Sequence, residues 1–366
     1  MSVIAKELEA VTGALLSLTL DKIDVLDREA MAKARARMDS LLKPPGSLGV
    51  LEDIAVKLAG VTRQPFPEIK DKCVVLMAAD HGVVAEGVSA APQEVTWQML
   101  PRFVDGTAGI GVLARHVGAR LVVVDIGVIR AVDWPGVVIR KVRPGTGNIA
   151  CGPAMTREEA VRAVETGIEL AEYEIARGAD LLATGDMGIG NTTASSAILC
   201  AIVGVPVTEA VGRGTMIDNK TLERKRRVVA EALKVNRPEA SQPLDVLAKV
   251  GGLEIAGLAG VILGAAARRV PVLLDGFITG AAALIAAALC PKAKGFMLAS
   301  HLSEEQAHRR MLSALGLKPI LDLNLRLGEG TGAALAMPVV EAALKILKEM
   351  ATFGKAKVSE IKRNRQ

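Results

Sequence analysis

Aromatic residues are scarce in this chain of 366 residues, which contains five Phe, two Trp and one Tyr. Proteins that bind single-stranded nucleic acid stack the bases on aromatic side chains, so the scarcity argues against that class of function. Half of the residues are nevertheless hydrophobic, and 36 are glycine. The core must therefore be built from Ala, Val, Leu and Ile, which suits an α/β protein.

Cysteine and histidine are also sparse, with four residues of each. The cysteines are Cys73, Cys151, Cys200 and Cys290. They form no C-x-x-C pair and have apolar neighbours, so we expect small buried side chains in a reducing compartment. The histidines form no H-E-x-x-H motif. We expect His301 and His308, which could share a helix face, to be exposed to solvent, and we predict no metal site.

Long apolar runs and strong charge are missing as well. The longest apolar stretch, residues 276–290, is shorter than the roughly 20 residues that a membrane-spanning helix needs, so it predicts a buried helix. The first residues lack the apolar core of a signal peptide. The net charge is +5, and no nucleic-acid motif accompanies the basic residues 224–227. We expect a cytoplasmic protein that binds neither membranes nor nucleic acid.

Short apolar runs alternate with helical stretches along most of the chain. The runs are residues 73–79, 121–124, 181–184, 272–274 and 296–299. The helical stretches between them are residues 95–117, 158–177, 220–233 and 253–267, the second preceded by a capping box of Thr156 and Glu159. This alternation predicts a parallel sheet covered by helices on both faces, a Rossmann-like three-layer α/β fold.

Further helices are predicted near both chain ends, at residues 27–42, 51–61 and 332–350, with Asp27 as the N-cap of the first. We expect these helices to pack together as a smaller helical subdomain of residues 1–64 and 331–366. Residues 65–330 would then form the α/β domain that binds nucleotide and base.

Polar residues follow the predicted strands at the point where each strand ends. They are Asp80, His81, Asp125, Asp186, Asp275 and His301. Any one of them is compatible with a simple turn. Because ligands of parallel sheets bind beyond the carboxyl ends of the strands, five strands that end alike favour a shared site.

Residues 181–193 (LLATGDMGIGNTT) are the most informative stretch. After the apolar run, Gly188, Ile189 and Gly190 lead into Asn191, Thr192 and Thr193, which begin a helical stretch. We call residues 188–193 the glycine loop. Glycines and the start of a helix both present backbone N–H groups to an anion. The spacing matches neither a P-loop nor G-x-G-x-x-G, so the residues alone leave phosphate binding and a tight strand–helix turn equally open.

Glu329 stands between Gly328 and Gly330 at a break before a helical stretch. In apolar surroundings its pKa would rise towards the range that suits a general base, although an exposed turn glutamate is an equal alternative. Lys225 could reach a phosphate or lie on a solvated face. Ser89 and Gln98 could hydrogen-bond a heterocycle. No pair of acidic residues precedes Gly185, so the pattern of enzymes that use a pyrophosphate-activated ribose is missing.

Eight segments resemble motifs of one family, the nicotinate-nucleotide–dimethylbenzimidazole phosphoribosyltransferases. They are residues 43–49 (KPPGSLG), 79–83 (ADHGV), 86–90 (EGVSA), 94–96 (EVT), 152–156 (GPAMT), 187–193 (MGIGNTT), 273–277 (LLDGF) and 325–333 (LRLGEGTGA). They follow one another from residue 43 to the C-terminal helix. The resemblance therefore covers nearly the whole chain, and its joint signal is highly specific.

The resemblance implies transfer of the phosphoribosyl group of nicotinate mononucleotide to 5,6-dimethylbenzimidazole, a step in assembling the lower ligand of cobalamin. It implies that Glu329 is the general base and that the glycine loop holds the 5′-phosphate with Lys225. It also implies a homodimer, and a reaction without metal or cofactor, because the pyridinium of the donor leaves as a neutral ring. The other nucleotide-binding positions that we predict are Asp186, Gly214, Asp275, Gly276 and Ser303. The predicted base-binding positions are Asp80, His81, Ser89 and Gln98.

The chain departs from the family pattern at four positions. Asp186 stands where the family often has Glu, Ala91 where it often has an aromatic residue, Gly147 where Arg is usual and Met216 where Gly is usual. Ala91 keeps a second hypothesis open, the same donor with adenine or another benzimidazole as acceptor. A third is a nucleotide-binding regulator that performs no transfer.

Overall fold

The computed structural model describes residues 13–214 and 217–359. Within these residues, seven strands form one sheet in which every pairing is parallel. The strands are β1 Lys72–Ala79, β2 Ala119–Gly127, β3 Val137–Ile139, β4 Leu181–Met187, β5 Val272–Leu274, β6 Met297–His301 and β7 Pro319–Leu321. Their order is β3-β2-β1-β4-β5-β6-β7. This confirms the predicted parallel sheet and adds β3 and β7, which form its two edges.

Helices connect the strands along the described chain. They are α1 Ala14–Lys22, α2 Arg28–Asp39, α3 Val50–Thr62, α4 Val95–Val104, α5 Gly109–His116, α6 Arg157–Ala176, α7 Asn191–Val203, α8 Val207–Ala210, α9 Asn219–Asn236, α10 Pro243–Val250, α11 Leu253–Ala267, α12 Phe277–Leu289, α13 His308–Leu315, α14 Thr331–Glu349 and α15 Phe353–Ala356. Two 3₁₀ helices lie at Gly82–Glu86 and Pro291–Phe296.

The sheet is buried on both faces, because successive side chains of a strand point to opposite sides. In β1, Val75 and Met77 belong to a hydrophobic cluster built with α6, α7, α11 and α12. Val74 and Leu76 belong to a second cluster, built with α2, α3, α4 and α14 on the other face. The arrangement of helices, sheet and helices confirms the three-layer α/β fold.

Three helices from the two chain ends, α2, α3 and α14, lie on the same face of the sheet, whereas α1 packs against α6 and α11 on the other face. Helix α2 packs on α3, and α3 packs on α14, which also contacts β4, β5 and β6. These helices share their hydrophobic cluster with the sheet. The division into an α/β domain and a helical subdomain stays a prediction, and residues 1–12 and 360–366 of that subdomain lie outside the described residues.

The two helix starts that we predicted from capping residues are confirmed. The Asp27 side chain accepts a hydrogen bond from the N–H of Ala30, and Thr156 and Glu159 form the predicted capping box. Helix α11 has the predicted bounds, and α12 is the predicted buried helix. The single helix predicted over residues 95–117 is wrong, because the chain turns at Gly106 with a φ of 70° and forms α4 and α5 instead.

The expectation that all four cysteines are buried is confirmed only in part. None of them forms a disulfide, but only Cys73 and Cys290 are buried, while Cys200 is half-buried and Cys151 is exposed. In the part of the chain that the structure describes, no helix is long and apolar enough to cross a membrane.

Candidate active site

A cavity of about 330 Å³ opens at the carboxyl ends of β4, β5 and β6. It is enclosed by the glycine loop after β4, the segment after β6, the segment before α14 and part of α4. Nine predicted site residues line it: Asp186, Gly188, Ile189, Asn191, Thr192, Gly214, Gly276, Ser303 and Glu329. The structure therefore brings together residues that are up to 143 positions apart in the sequence (186 to 329).

The glycine loop is pressed against the end of β1. A Cβ atom on Gly188 would lie 2.5 Å from the carbonyl oxygen of Ala79, so only glycine fits this position. Gly190 has a φ of 96° and caps α7, in which Thr193 is fully buried. The N–H of Ile189 donates to Thr96 Oγ1 at 3.1 Å, which ties the loop to α4. The start of α7 thus faces the cavity, an arrangement suited to an anion.

Lys225 supplies a positive charge beside this helix start. Its Nζ donates to Thr192 Oγ1 at 2.7 Å and to the carbonyl oxygen of Gly212 at 3.4 Å. The side chain extends from α9 and is only 1% exposed, so the alternative of a solvated face is wrong. Burial lowers the pKa of Lys225 to about 8, and the nearby Glu305 opposes that shift. The ammonium is poised to pair with an anion at the glycine loop.

Glu329 lies in an unusual stretch of backbone. The φ angles of Gly328, Glu329 and Gly330 are 81°, 65° and 94°, all in the left-handed region. For a residue with a side chain this conformation is unfavourable, and such strain concentrates at functional sites. The neighbouring strand β4 makes room for the turn, since a Cβ on Gly185 would lie 2.5 Å from the carbonyl oxygen of Glu329.

Asp275 stabilises this turn by hydrogen bonds to its backbone. Its carboxylate accepts hydrogen bonds from the N–H groups of Gly330 at 3.1 Å, Gly332 at 2.8 Å and Ala333 at 3.1 Å. It therefore caps α14 and fixes the residue after Glu329. Burial raises the pKa of Asp275 to about 7, against the three hydrogen bonds, which favour the charged form. Asp275 lies behind the lining of the cavity rather than in it.

The Glu329 side chain reaches from the turn into the cavity. Its Oε2 accepts a hydrogen bond from the N–H of Ile110, at the start of α5, at 3.2 Å. The residue is 7% exposed, which rules out the alternative of an exposed turn glutamate. Burial raises the pKa of the Glu329 carboxyl, and the bond from Ile110 opposes this in part. A buried carboxylate with a raised pKa is suited to general-base catalysis.

Asp186 is a further acidic group in the lining. Asn191 Nδ2 donates to its Oδ2 at 3.0 Å, whereas its buried Oδ1 has no hydrogen-bond partner among the residues described. Burial, followed by the charges of Asp275 and Glu254, raises the pKa of Asp186 well above its usual range. Burial therefore makes the charged form of this carboxyl less favourable than it is in water.

His301 and His308 are buried, at 2% and 1% exposure, so the expectation that they face solvent is wrong. His301 ends β6 and lines the cavity, and burial lowers its pKa to about 4. Burial also lowers the pKa of His308 to about 3. His308 Nδ1 accepts a hydrogen bond from the N–H of Ser303 at 2.9 Å. A neutral histidine thus positions Ser303 in the cavity wall.

The four predicted base-binding residues do not line this cavity. Asp80 accepts from the N–H of Ile129 at 2.8 Å, and His81 Nε2 lies 2.6 Å from Glu254 Oε1, so both are engaged in the interior behind the glycine loop. Ser89 Oγ accepts from the N–H of Ala91 at 3.2 Å, and Gln98 is exposed on α4. Their contact with a base stays a prediction.

Sequence reasoning missed apolar residues that do line the cavity. Val95 and Met99 lie one turn apart on α4 and form its wall with Ala91, while Leu327 borders Glu329. The spacing of Val95 and Met99 is the signal of one helix face, but it does not distinguish a core face from a ligand face.

Asp125 of β2, which the strand-end pattern included, pairs instead with Lys141 at 3.1 Å, away from the cavity. Among the described residues, no group of three or more His, Cys, Asp or Glu side chains could hold a metal ion.

Comparisons with known proteins bear on this site. A family model described as "Phosphoribosyltransferase" matches residues 23–358. The nicotinate-nucleotide–dimethylbenzimidazole phosphoribosyltransferase of Desulforamulus reducens is 56% identical over 348 residues, 94% of this chain and 99% of that protein. The enzyme of the same name from Chloroflexus aggregans is 55% identical over 352 residues, 95% of this chain and 99% of that protein. The crystal structure of CobT from Thermus thermophilus is similar with a TM-score of 0.88 and 51% identity, covering 91% of this chain and 100% of that one.

Proposed function

This chain belongs to the family of nicotinate-nucleotide–dimethylbenzimidazole phosphoribosyltransferases, and from that premise we propose that it transfers the phosphoribosyl group of nicotinate mononucleotide to 5,6-dimethylbenzimidazole. The products are α-ribazole 5′-phosphate and nicotinate, and the reaction serves assembly of the lower ligand of cobalamin. The observation that carries the proposal is that Glu329 lines the same cavity as the glycine loop.

In the proposed complex, the 5′-phosphate of the nucleotide binds at the glycine loop. The helix start at Asn191 and the ammonium of Lys225, which contacts Thr192 Oγ1, supply opposite charge for it. Gly214 borders the same end of the cavity, where a Cβ would lie 3.6 Å from Lys225 Nζ. Ser303, held by His308, adds a hydroxyl to the wall. In this arrangement the ribose extends from the loop towards Glu329.

In the proposed complex, the acceptor base binds against the apolar wall that Ala91, Val95, Met99 and Leu327 form, and its N–H points towards Glu329. The Glu329 carboxylate takes the N–H proton while the other ring nitrogen forms a bond to the anomeric carbon of the ribose. The bond from that carbon to the nicotinate nitrogen breaks, and its electron pair stays on the nitrogen. The pyridinium thereby leaves as a neutral ring, and attack from the opposite face converts a β-linked nucleotide into an α-linked one.

A second candidate function is transfer to a wider range of bases. Ala91 favours it, because the small side chain lines the cavity where an aromatic residue would narrow the base site. Adenine or another benzimidazole would then compete with 5,6-dimethylbenzimidazole for the same wall. Gly147 does not line the cavity. Met216 lies outside the described residues.

One experiment tests both candidates. The protein is incubated with nicotinate mononucleotide and an equimolar mixture of 5,6-dimethylbenzimidazole, benzimidazole and adenine, and the products are identified by mass spectrometry. Release of nicotinate with α-ribazole 5′-phosphate as the main product supports the first function, and comparable amounts of several ribotides support the second. Binding of the nucleotide without product from any base would favour the non-catalytic regulator instead.

We further propose a homodimer located in the cytoplasm. Leu327, which lines the cavity, is 60% exposed, and Leu323 four residues before it is 51% exposed; exposed apolar side chains of this kind often mark a protein interface. The four cysteines without a disulfide suit a reducing compartment. Light scattering of the purified protein tests the dimer: a mass close to one chain of 38.2 kDa would contradict it.

A further inference from the structure

Glu305 is an acidic residue in the cavity wall to which the reaction described above gives no role. It follows β6 and is 8% exposed. Its N–H donates to Ser303 Oγ at 3.3 Å, and its carbonyl oxygen accepts from the N–H of His308 at 2.8 Å, so its backbone is fixed. Its Oε2 is buried and has no hydrogen-bond partner in the part of the chain that the structure describes.

The carboxylate lies at the phosphate end of the cavity. It packs against Gly212 so closely that a Cβ on that glycine would collide with Oε2. The carbonyl oxygen of Gly212 in turn accepts from Lys225 Nζ at 3.4 Å, and the charge of Glu305 raises the pKa of that lysine. At this end, a carboxylate in the cavity wall therefore lies near a buried ammonium behind the glycine loop.

This combination fits a ligand that carries an anion and neighbouring hydrogen-bond donors. A bare phosphate would gain from Lys225 but would be repelled by Glu305. Glu305 lines the cavity, so its carboxylate can accept a hydrogen bond from a ligand hydroxyl. In a 5′-phosphorylated ribose, the 2′- and 3′-hydroxyls are donors attached to the same small ring as the phosphate arm.

We propose that Glu305 accepts hydrogen bonds from the ribose hydroxyls of the nucleotide and so selects a phosphoribosyl donor with an intact diol. The inference rests on the proposed function, since it places a nucleotide in this cavity. The alternative is that Glu305 only holds Lys225 in place. The two roles predict different effects of replacing Glu305 on the affinity for inorganic phosphate, which has no ribose.

The test uses the full chain, the Glu305→Gln variant and the Glu304→Gln control, which makes the same chemical change on an exposed neighbour. Equilibrium binding is measured for nicotinate mononucleotide, its 2′-deoxy and 3′-deoxy analogues, and inorganic phosphate. We expect wild type to bind at least one deoxy analogue about 10-fold or more weakly than the ribonucleotide, as for hydrogen bonds to a charged group. That preference is lost in Glu305→Gln and kept in Glu304→Gln, while inorganic phosphate binds Glu305→Gln as tightly as wild type or more tightly.

Two results would overturn the proposal. One is that wild type binds both deoxy analogues as tightly as the ribonucleotide. This result can be observed with the wild-type protein alone. The other is that Glu305→Gln weakens inorganic phosphate and the nucleotide in parallel, which would assign Glu305 to positioning Lys225. Because binding is measured rather than turnover, a failure of the proposed transfer reaction would show separately, as nucleotide binding without product.

Discussion

Replacing Glu329 by Gln removes the proposed proton acceptor while keeping the shape of the turn. The amide oxygen of glutamine can still accept the hydrogen bond from the N–H of Ile110, which is 3.2 Å from Glu329 Oε2 in the wild type. The left-handed backbone at residue 329 and its support by Asp275 do not depend on the carboxylate charge. Because burial raises the pKa of Glu329, neutralising this side chain does not reduce folding stability at neutral pH.

The expected loss of activity follows from the role of the carboxylate. A positioned general base contributes about 10²- to 10⁴-fold to a rate. That factor corresponds to about 3–5 kcal/mol of activation free energy, at about 1.4 kcal/mol for each factor of ten. We therefore expect kcat to fall by about that factor, with the KM of the nucleotide within about threefold of wild type, because the phosphate site at Lys225 is untouched.

The assay is release of nicotinate under saturating base, followed over a range of pH. In wild type, kcat/KM falls as the pH drops through the raised pKa of Glu329, since only the charged carboxylate can take a proton. In Glu329→Gln this acid limb is absent. Glu304→Gln is the control, because it makes the same change on an exposed side chain and should retain full activity. Turnover of Glu329→Gln within tenfold of wild type would refute the reasoning.

Further predictions concern the groups around Glu329. In Asp275→Asn we expect slower turnover, because one of the hydrogen bonds to the turn before α14 is lost. In wild type, burial raises the pKa of Asp275 to about 7, so the folded protein becomes less stable as the pH rises from 4 to 7. The melting temperature of Asp275→Asn should therefore decline less over this range than that of wild type. Lys225→Met should raise the KM of the nucleotide about 10-fold or more. In wild type, we expect this KM to rise as the pH increases through about 8, where the Lys225 ammonium loses its proton, and Lys225→Met should show no such rise. Gly185→Ala should lower kcat by about 10-fold or more, because its Cβ would lie 2.5 Å from the Glu329 carbonyl oxygen, while Gly152→Ala, where a Cβ meets nothing within 4 Å, should behave as wild type. Steady-state kinetics and thermal melting check each of these outcomes.

The sheet could be predicted from the sequence because its central strands are buried on both faces and read as apolar runs. Strands β3 and β7 were not predicted. They are as short as the predicted β5, but they lie at the sheet edges and are only partly buried, whereas β5 is fully buried. The rule that ligands bind beyond strand ends correctly brought Asp186 and His301 to the cavity. It also included Asp125, which forms an ion pair with Lys141 away from the cavity, because the rule does not say which part of the edge is open.

The chemistry at Glu329 depends on tertiary contacts that local patterns do not encode. Its burial requires the break between α4 and α5, which brings the N–H of Ile110 to the carboxylate, and the absence of a side chain at Gly185. Lys225 sits in a basic helix whose pattern indicates solvent, yet its side chain enters the interior. The sequence pattern left the role of each residue as one of two open alternatives, and the resemblance to a family favoured one of them.

The most direct test of the account is a crystal structure of the protein with α-ribazole 5′-phosphate. We expect the phosphate to contact the glycine loop and Lys225, and the benzimidazole nitrogen remote from the ribose to lie about 2.6–3.2 Å from a carboxylate oxygen of Glu329. A complex in which the product binds elsewhere, or in which Glu329 stays out of hydrogen-bond reach of that nitrogen in its own cavity and in that of a neighbouring subunit, would contradict it.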